Sequence, residues 1–130
     1  MDVPQFELGR SYTRNEVRKR LGGDLLSNFP VHQGRVVYCC VLLTTHPDAP
    51  EVILVSNEGR MAETARRFAE LKESVPVFLK QSRETESNLV YQGEFIVERY
   101  SDNREEVTYF AKRAHRLDVE GALFLRRVNL

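Results

Sequence analysis

The chain is poor in the residues that build metal and disulfide sites. It has two cysteines, three histidines and no tryptophan. Cys39 and Cys40 are adjacent within an apolar run, where neighbouring strand residues point to opposite faces. We therefore expect two buried hydrophobic side chains, and neither a disulfide nor a nucleophile. The histidines lie far apart, and no Cys-x-x-Cys or His-x-x-x-His spacing occurs, so the sequence predicts no structural metal.

Long apolar runs and an excess of one charge are also missing. No segment approaches the about 20 apolar residues that span a bilayer, and the first residues lack the pattern of a secretory signal. We therefore expect a cytoplasmic protein without a membrane partner. Nineteen basic and nineteen acidic residues give zero formal charge, so any binding to nucleic acid must come from a local basic patch. A length of 130 residues predicts a single domain, residues 1–130.

Motifs for nucleotide binding and catalysis are absent as well. The close glycine pair Gly22-Gly23 follows a helical pattern and does not lie between a strand and a helix, as phosphate loops require. A nucleophile, a base and an orienting acid occur only as scattered candidates that the sequence cannot place together. We therefore predict no cofactor and no catalytic residue in this chain. An enzyme that acts on a small ligand remains an alternative.

What the chain does have is a clear order of helical and strand patterns. Thr13 and Glu16 form a capping box that predicts a short helix. A second helix is predicted between residues 57 and 74, and a third after a cap at Asp102 or Asn103. Apolar runs predict strands over residues 36–43, 52–55, 75–80, 89–97 and 122–125, with a bend at Gly93 and a solvated hairpin loop over residues 81–88. This irregular order favours an α+β fold with a curved mixed, mainly antiparallel sheet flanked by about three helices.

The most informative stretch is the polar turn between the first two buried strands, residues 44–50. Pro47 and Pro50 restrict its backbone, and His46 and Asp48 place a titratable ring and a carboxylate at the rim of a rigid core. Binding groups are often found at such rims, so both residues are candidates for a binding site. The alternative for His46 is a structural role in which its ring bonds to nearby backbone.

Aromatic and basic residues also meet near the predicted strand ends. Tyr38 and Tyr91 are candidates for stacking on a base, and Arg35, Arg60 and Lys80 are candidates for holding phosphates. The alternatives are that the tyrosine in the apolar run belongs to the core and that the basic side chains are ordinary solvated charges.

A set of short motifs along the chain supports this interpretation. The motifs are Tyr12-Thr13-Arg14 with Leu21-Gly22-Gly23, residues 34–37, residues 47–55, residues 75–80 and Tyr91-Gln92-Gly93. On these short motifs, with a similarity that extends over most of the chain, it resembles a module found beside HNH-type nuclease domains in modification-dependent, restriction-like proteins. More loosely, it is similar to the SRA and PUA-like readers of modified bases. The resemblance implies a partial barrel whose concave pocket accepts a flipped, modified base while Arg and Lys side chains hold the backbone.

Two positions depart from the expected pattern. His46 stands where the resemblance leads us to expect Asn before the Pro-x-Ala-Pro turn, and Leu89 stands where we expect Trp two residues before the strand tyrosine. The missing tryptophan removes the best stacking surface. If that position lines the pocket, either a different base is read or Tyr91 or Tyr38 takes over the stacking.

Together these observations lead to a hypothesis of a non-catalytic DNA-binding module that reads a modified base in a restriction or defence context. In this hypothesis Tyr38 and Tyr91 stack on the base, and His46 and Asp48 read its edge by hydrogen bonds. The resemblance also implies an HNH-type nuclease domain or partner. The rival hypothesis is a protein-interaction or regulatory domain that binds no nucleic acid.

Overall fold

The computed structural model describes residues 6–24, 27–81 and 89–128. Three helices surround one curled sheet and a separate two-stranded hairpin. In chain order the elements are β1 (Ser11–Tyr12), α1 (Arg14–Leu21), β2 (Val31–His32), β3 (Arg35–Val36), β4 (Cys39–Leu42), β5 (Val52–Ser56), α2 (Met61–Leu71), β6 (Val75–Lys80), β7 (Leu89–Ser101), α3 (Arg104–Arg113) and β8 (Val119–Arg127). No helix in these ranges is long and apolar enough to cross a bilayer.

The main sheet is mixed and curls into a half-barrel. Its strands follow the order β4-β6-β7-β8-β5, and β1 pairs with β7. The pairing of β4 with β6 is parallel, and the other pairings are antiparallel. Strands β4 and β5 therefore form the two edges, and the half-barrel stays open between them. The predicted α+β fold, with a curved mixed, mainly antiparallel sheet and three helices, is confirmed.

Local signals set the ends of the helices. Oγ1 of Thr13 accepts a hydrogen bond from the Glu16 amide at 3.0 Å, and the Thr13 amide donates to Oε1 of Glu16 at 2.9 Å. This is the predicted capping box, in which each side chain satisfies a free amide of the first turn. Of the two candidate caps of α3, Asn103 is the one used, because its Oδ1 accepts from the Glu106 amide at 3.0 Å.

The predicted strand over residues 36–43 is wrong in its first half. Arg35 and Val36 belong to the β2–β3 hairpin, whose turn residues Gln33 and Gly34 have φ values of 53° and 81°, as a tight two-residue turn requires. The Val37 amide then donates to the Pro30 carbonyl at 2.9 Å instead of to the main sheet. Strand β4 begins only at Cys39.

The long strand β7 produces much of the curl. Gly93 has a φ of 112°, and the register against β6 shifts beside it, so the predicted bend is confirmed. A second shift between Val97 and Arg99 alters the register against β8. Strand β7 continues to Ser101, beyond its predicted end at residue 97. Most of the predicted hairpin loop, residues 82–88, lies outside the described residues.

Three hydrophobic clusters hold the described part of the sheet: a small one joins Val52 and Leu54 of β5 to Ala114 and Ala122, and two larger ones lie on opposite faces of β6. The largest packs α2, through Ala65 and Phe68, against β4, β5, β6, β7 and β8. The second is an aromatic cluster centred on Phe78 of β6, whose side chain is fully buried. The rings around it are Phe6 at 5.1 Å, Tyr91 at 5.5 Å, Tyr38 at 5.8 Å and Tyr12 at 6.3 Å between centroids. These contacts tie the segment before α1 to the sheet.

Candidate functional site

A cavity of about 510 Å³ lies at the open side of the half-barrel. It is bounded by the ends of β4, β5 and β6, by the β4–β5 turn, by the first residues of α1 and α2, and by the loop between α3 and β8. Its lining residues are Arg14, Asn28, Cys40, Val41, Leu42, Thr45, His46, Ser56, Glu58, Met61, Lys80, Arg116 and Asp118. The cavity thus collects polar side chains that are far apart in the sequence.

His46 connects the two edge strands at this cavity. Its Nδ1 lies 3.2 Å from the Leu42 carbonyl oxygen of β4 and 3.0 Å from Oγ1 of Thr45. Its Nε2 lies 3.1 Å from the Leu54 carbonyl oxygen of β5. The side chain is buried, and this burial lowers the pKa of His46 below its ordinary value of 6.5. Each ring nitrogen thus lies within hydrogen-bond distance of a carbonyl oxygen, and the neutral ring, which has a single N–H, donates to one of the two at a time.

This burial predicts a specific dependence of stability on pH. Because the pKa of His46 is lower in the folded chain than in the unfolded chain, the unfolded chain takes up the proton first as the pH falls. The stability contributed by neutral His46 is therefore complete above pH 6.5 and is lost as the pH drops from 6.5 towards the folded-state pKa. The loss is at most about 1.4 kcal/mol per pH unit.

Urea unfolding of the wild type and of His46→Gln between pH 5 and pH 8 checks this prediction. The wild type should lose stability below pH 6.5 more steeply than His46→Gln, while His115→Asn, a change at an exposed histidine, should follow the wild type. Parallel pH profiles of wild type and His46→Gln would show that His46 titrates alike in both states.

Arg116 and Asp118 form a fixed pair beside His46. Nε and Nη2 of Arg116 donate to the two carboxylate oxygens of Asp118 at 2.9 and 2.8 Å. Nη1 of Arg116 donates to the Thr45 carbonyl at 3.0 Å, so the same guanidinium holds the β4–β5 turn. These hydrogen bonds lower the pKa of Asp118, which keeps the carboxylate charged. Its side chain remains 41% exposed and is therefore open to a ligand.

Three further charged side chains complete the wall. Arg14 donates to the Tyr38 hydroxyl at 3.1 Å and to the Ser27 carbonyl at 3.2 Å, so its guanidinium is held in place. Within the described ranges, Glu58 and Lys80 form no side-chain ion pair. Both signs of charge are thus available to a bound molecule.

Of the residues selected from the sequence, His46 and Lys80 meet at this cavity. Asp48 does not. Its carboxylate accepts three hydrogen bonds from Arg113 of α3, at 2.9 to 3.2 Å. The structure therefore replaces the predicted Asp48 at the cavity with a different aspartate, Asp118.

The two tyrosines selected for stacking lie in the aromatic cluster. Tyr38 is completely buried and Tyr91 is 5% exposed, so neither offers an open ring face to a base. The Tyr91 hydroxyl donates to Oε2 of Glu94 at 2.7 Å. The alternative for Tyr38, that it belongs to the core, is therefore the correct one, and Tyr91 belongs to the core as well.

The two remaining arginines selected from the sequence lie outside the main cavity. Arg35 forms an ion pair with Glu73 at the surface. Arg60 lines a second cavity of about 490 Å³, which shares Glu58 and Met61 with the first. Exposed ion pairs are weak, so the pairing of Arg35 leaves it available to other partners at little cost.

The cysteines are buried, as predicted. Cys40 touches the cavity but is only 2% exposed, and Cys39 is fully buried. Burial raises the pKa of both thiols, which keeps them protonated and unreactive. Within the described ranges, no group of three His, Cys, Asp or Glu side chains is placed to hold a metal ion.

Comparison with known proteins identifies structures with a similar fold. No family model matches the chain, and no curated protein is significantly similar to it. Solved structures of SRA domains are similar: the SUVH5 SRA domain in a hemi-methylated CG DNA complex has a TM-score of 0.63 at 16% identity, over 99% of this chain and 93% of that chain. The SUVH5 SRA domain bound to fully hydroxymethylated CG DNA has a TM-score of 0.59 at 16% identity, with the same coverage.

A larger protein shares the fold over part of its length. KRYPTONITE in complex with mCHG DNA and SAH has a TM-score of 0.61 at 11% identity, over 98% of this chain and 33% of that chain. The chain therefore has an SRA-like fold, as its motifs led us to expect.

Proposed function

We propose that this SRA-like domain is a non-catalytic DNA-binding module that reads a modified base flipped into the cavity between its edge strands. The observation that carries this proposal is the cavity itself, whose hydrogen-bonding side chains line a space of about 510 Å³ in a half-barrel like those crystallised with methylated DNA. Pockets that enclose small ligands measure about 300–1,000 Å³, so a single nucleotide base fits.

The charged groups of the cavity match the edge of a base. Asp118 is a fixed, charged acceptor, the type of group that accepts a hydrogen bond from an exocyclic amine such as that of cytosine or adenine. The hydroxyls of Ser56 and Thr45 can donate or accept. An isolated carboxylate near DNA is unfavourable, but the bidentate pairing of Asp118 with Arg116 offsets its charge.

Stacking in this cavity would rely on planar groups other than tyrosine. Apart from His46, none of the described lining residues is aromatic. The guanidinium planes of Arg14 and Arg116 are held by hydrogen bonds, and arginine planes stack on bases in other nucleic-acid complexes. We therefore assign the stacking role to these arginines and not to Tyr38 and Tyr91.

The phosphates would be held by Lys80 at the cavity and by Arg60 beside it. A basic stretch on α1, including the exposed Arg18 and Lys19, continues from the Arg14 side of the cavity. Each neutralised phosphate releases counterions, so affinity should fall as salt rises. On the sequence resemblance, we further propose a cytoplasmic role in restriction or defence, together with an HNH-type nuclease.

Binding to short duplexes at two salt concentrations tests the proposal. The duplexes would be unmodified or carry 5-methylcytosine, 5-hydroxymethylcytosine, glucosylated cytosine or N6-methyladenine. We expect at least one modified duplex to bind more tightly than the unmodified one. Lys80→Gln should weaken binding to every duplex and lower the slope of log affinity against log salt by about 1.

Matched controls make the outcome decisive. Lys112→Gln removes the same charge from an exposed position on α3 and should leave the salt slope close to that of the wild type. If no duplex binds even at low salt, the DNA-binding proposal fails and the protein-interaction alternative becomes the better account.

A further inference from the structure

The β4–β5 turn is attached to α3 by a pair of side chains outside the cavity. The Asp48 carboxylate accepts three hydrogen bonds from Nε and Nη2 of Arg113, at 2.9 to 3.2 Å. Only 21% of the Asp48 side chain is exposed. Exposed ion pairs are usually weak, but a bidentate arginine–carboxylate pair fixes the relative orientation of its two partners. The pair therefore holds the turn in a defined position against the helix.

The end of α3 brings a second arginine to the same turn. The His115 amide donates to the Lys112 carbonyl at 3.1 Å, and His115 has a φ of 53°. The Arg116 amide donates to the Ala111 carbonyl at 3.0 Å. These two bonds form a Schellman motif, which gives the helix end a defined conformation. Arg116 is thereby placed to donate to the Thr45 carbonyl at 3.0 Å.

The turn held by these two contacts carries groups of the cavity wall. Thr45 and His46 both line the cavity. A backbone hydrogen bond of 3.1 Å from the Ala49 amide to the His46 carbonyl spans Asp48, so a displacement of Asp48 would also move His46. Binding groups must lie within about 0.5 Å of their productive positions. The attachment of the turn to α3 is therefore a condition for recognition in the cavity.

We propose that Asp48 and Arg113 are positioning residues for base recognition, which hold the β4–β5 turn against the end of α3. With the Arg116 contact they keep Thr45 and His46 at the cavity wall. This inference rests on the proposed function. Neither Asp48 nor Arg113 lines the cavity, so the pair acts on a bound base through the turn and not by contact.

Two variants that remove one charge each test the pair. Asp48→Asn raises the net charge by one and Arg113→Gln lowers it by one, so a purely electrostatic effect would change DNA affinity in opposite directions. Loss of the attachment should instead lower the ratio of modified to unmodified affinity in both variants, by about five- to tenfold. Because the two residues act as a pair, the double variant should lose no more than the more affected single variant.

The measurement is a titration of fluorescent duplexes with the wild type and each variant. The duplexes are unmodified or carry 5-methylcytosine, 5-hydroxymethylcytosine, glucosylated cytosine or N6-methyladenine. The ratio of modified to unmodified affinity is the quantity compared, because a change of net charge alone affects both duplexes alike. Thermal melting of every variant reports separately on stability.

Arg99 and Glu106 provide a matched control at the other end of α3. The Glu106 carboxylate accepts hydrogen bonds from Nη1 and Nη2 of Arg99 at 2.9 and 2.6 Å, which ties the first turn of α3 to β7. Neither residue lines the cavity. Glu106→Gln and Arg99→Gln make the same two charge changes and should leave the affinity ratio unchanged.

The outcomes separate this inference from the proposed function. If the wild type prefers a modified duplex and both Asp48→Asn and Arg113→Gln retain that preference, the pair only stabilises the fold and the inference fails. An equal loss of preference in the Arg99 and Glu106 variants would also overturn it, because any loosening of α3 would then suffice. If the wild type prefers no modified duplex, the proposed function fails and the inference fails with it.

Discussion

Changing Asp118 to asparagine is expected to lower the affinity for a modified duplex by about 10- to 100-fold. The carboxylate of Asp118 is the charged acceptor that Arg116 fixes at the cavity, and its pKa lies below the ordinary value, so it is ionised at neutral pH. Asparagine keeps the size of the side chain but replaces one acceptor oxygen by a donor. An exocyclic amine would then face another donor. Titration of a fluorescent duplex with the wild type and the variant measures the loss.

Two additional measurements separate a binding role of Asp118 from a purely structural one. Asp102→Asn makes the same change at an exposed position just before α3 and should leave affinity unchanged. Thermal melting of both variants reports on stability. If Asp118→Asn lowers the melting temperature but retains the preference for the modified duplex, Asp118 only holds Arg116 in place and does not read the base.

Changing Phe78 to alanine is expected to destabilise the domain by about 3–5 kcal/mol. Its side chain is fully buried on an interior strand, and four aromatic rings lie within 6.3 Å of its centroid. Removal of the ring leaves a cavity and ends these contacts, which link the segment before α1 to the sheet. Since domains of about this size unfold with similar entropies, the midpoint of thermal unfolding should fall by roughly 15 °C.

Two control substitutions, one conservative and one at an exposed position, are compared with Phe78→Ala. Phe78→Leu retains most of the volume and should cost less than about 2 kcal/mol. Leu117→Ala removes a side chain that is fully exposed and should change stability by less than about 0.5 kcal/mol. A loss for Phe78→Ala as small as that for Leu117→Ala would show that the aromatic cluster contributes little to folding.

The elements that sequence patterns predicted well are those whose signals are local. The Thr13–Glu16 capping box joins residues three positions apart, and the helix it predicts is present. The strand over residues 75–80 is bounded in the sequence by polar residues and has those bounds in the structure. The break before Cys39 could not be read from its apolar run, because the backbone partner of Val37 is Pro30, in the loop before the β2–β3 hairpin.

The cavity was only partly predictable, for a related physical reason. His46 and Lys80 stand at strand ends, which is the signal that selected them. Arg116 donates to the Thr45 carbonyl, 71 residues earlier in the chain, and Asp118 is paired with Arg116; only the folding of the half-barrel brings them to the cavity. Their one local signal is a position just before the last strand. Nothing local shows that Asp48 is held by Arg113 on α3, which depends on how that helix packs.

The bridge made by His46 also covers part of the two open strand edges. An open half-barrel leaves two unpaired strand edges, and such edges are templates on which a second chain can add a strand. Here the His46 ring lies between the edges, with its nitrogens 3.2 Å from the Leu42 carbonyl oxygen and 3.1 Å from the Leu54 carbonyl oxygen. The side chain that spans the opening thereby shields one carbonyl on each edge from pairing with another chain, and the cavity beside it stays accessible.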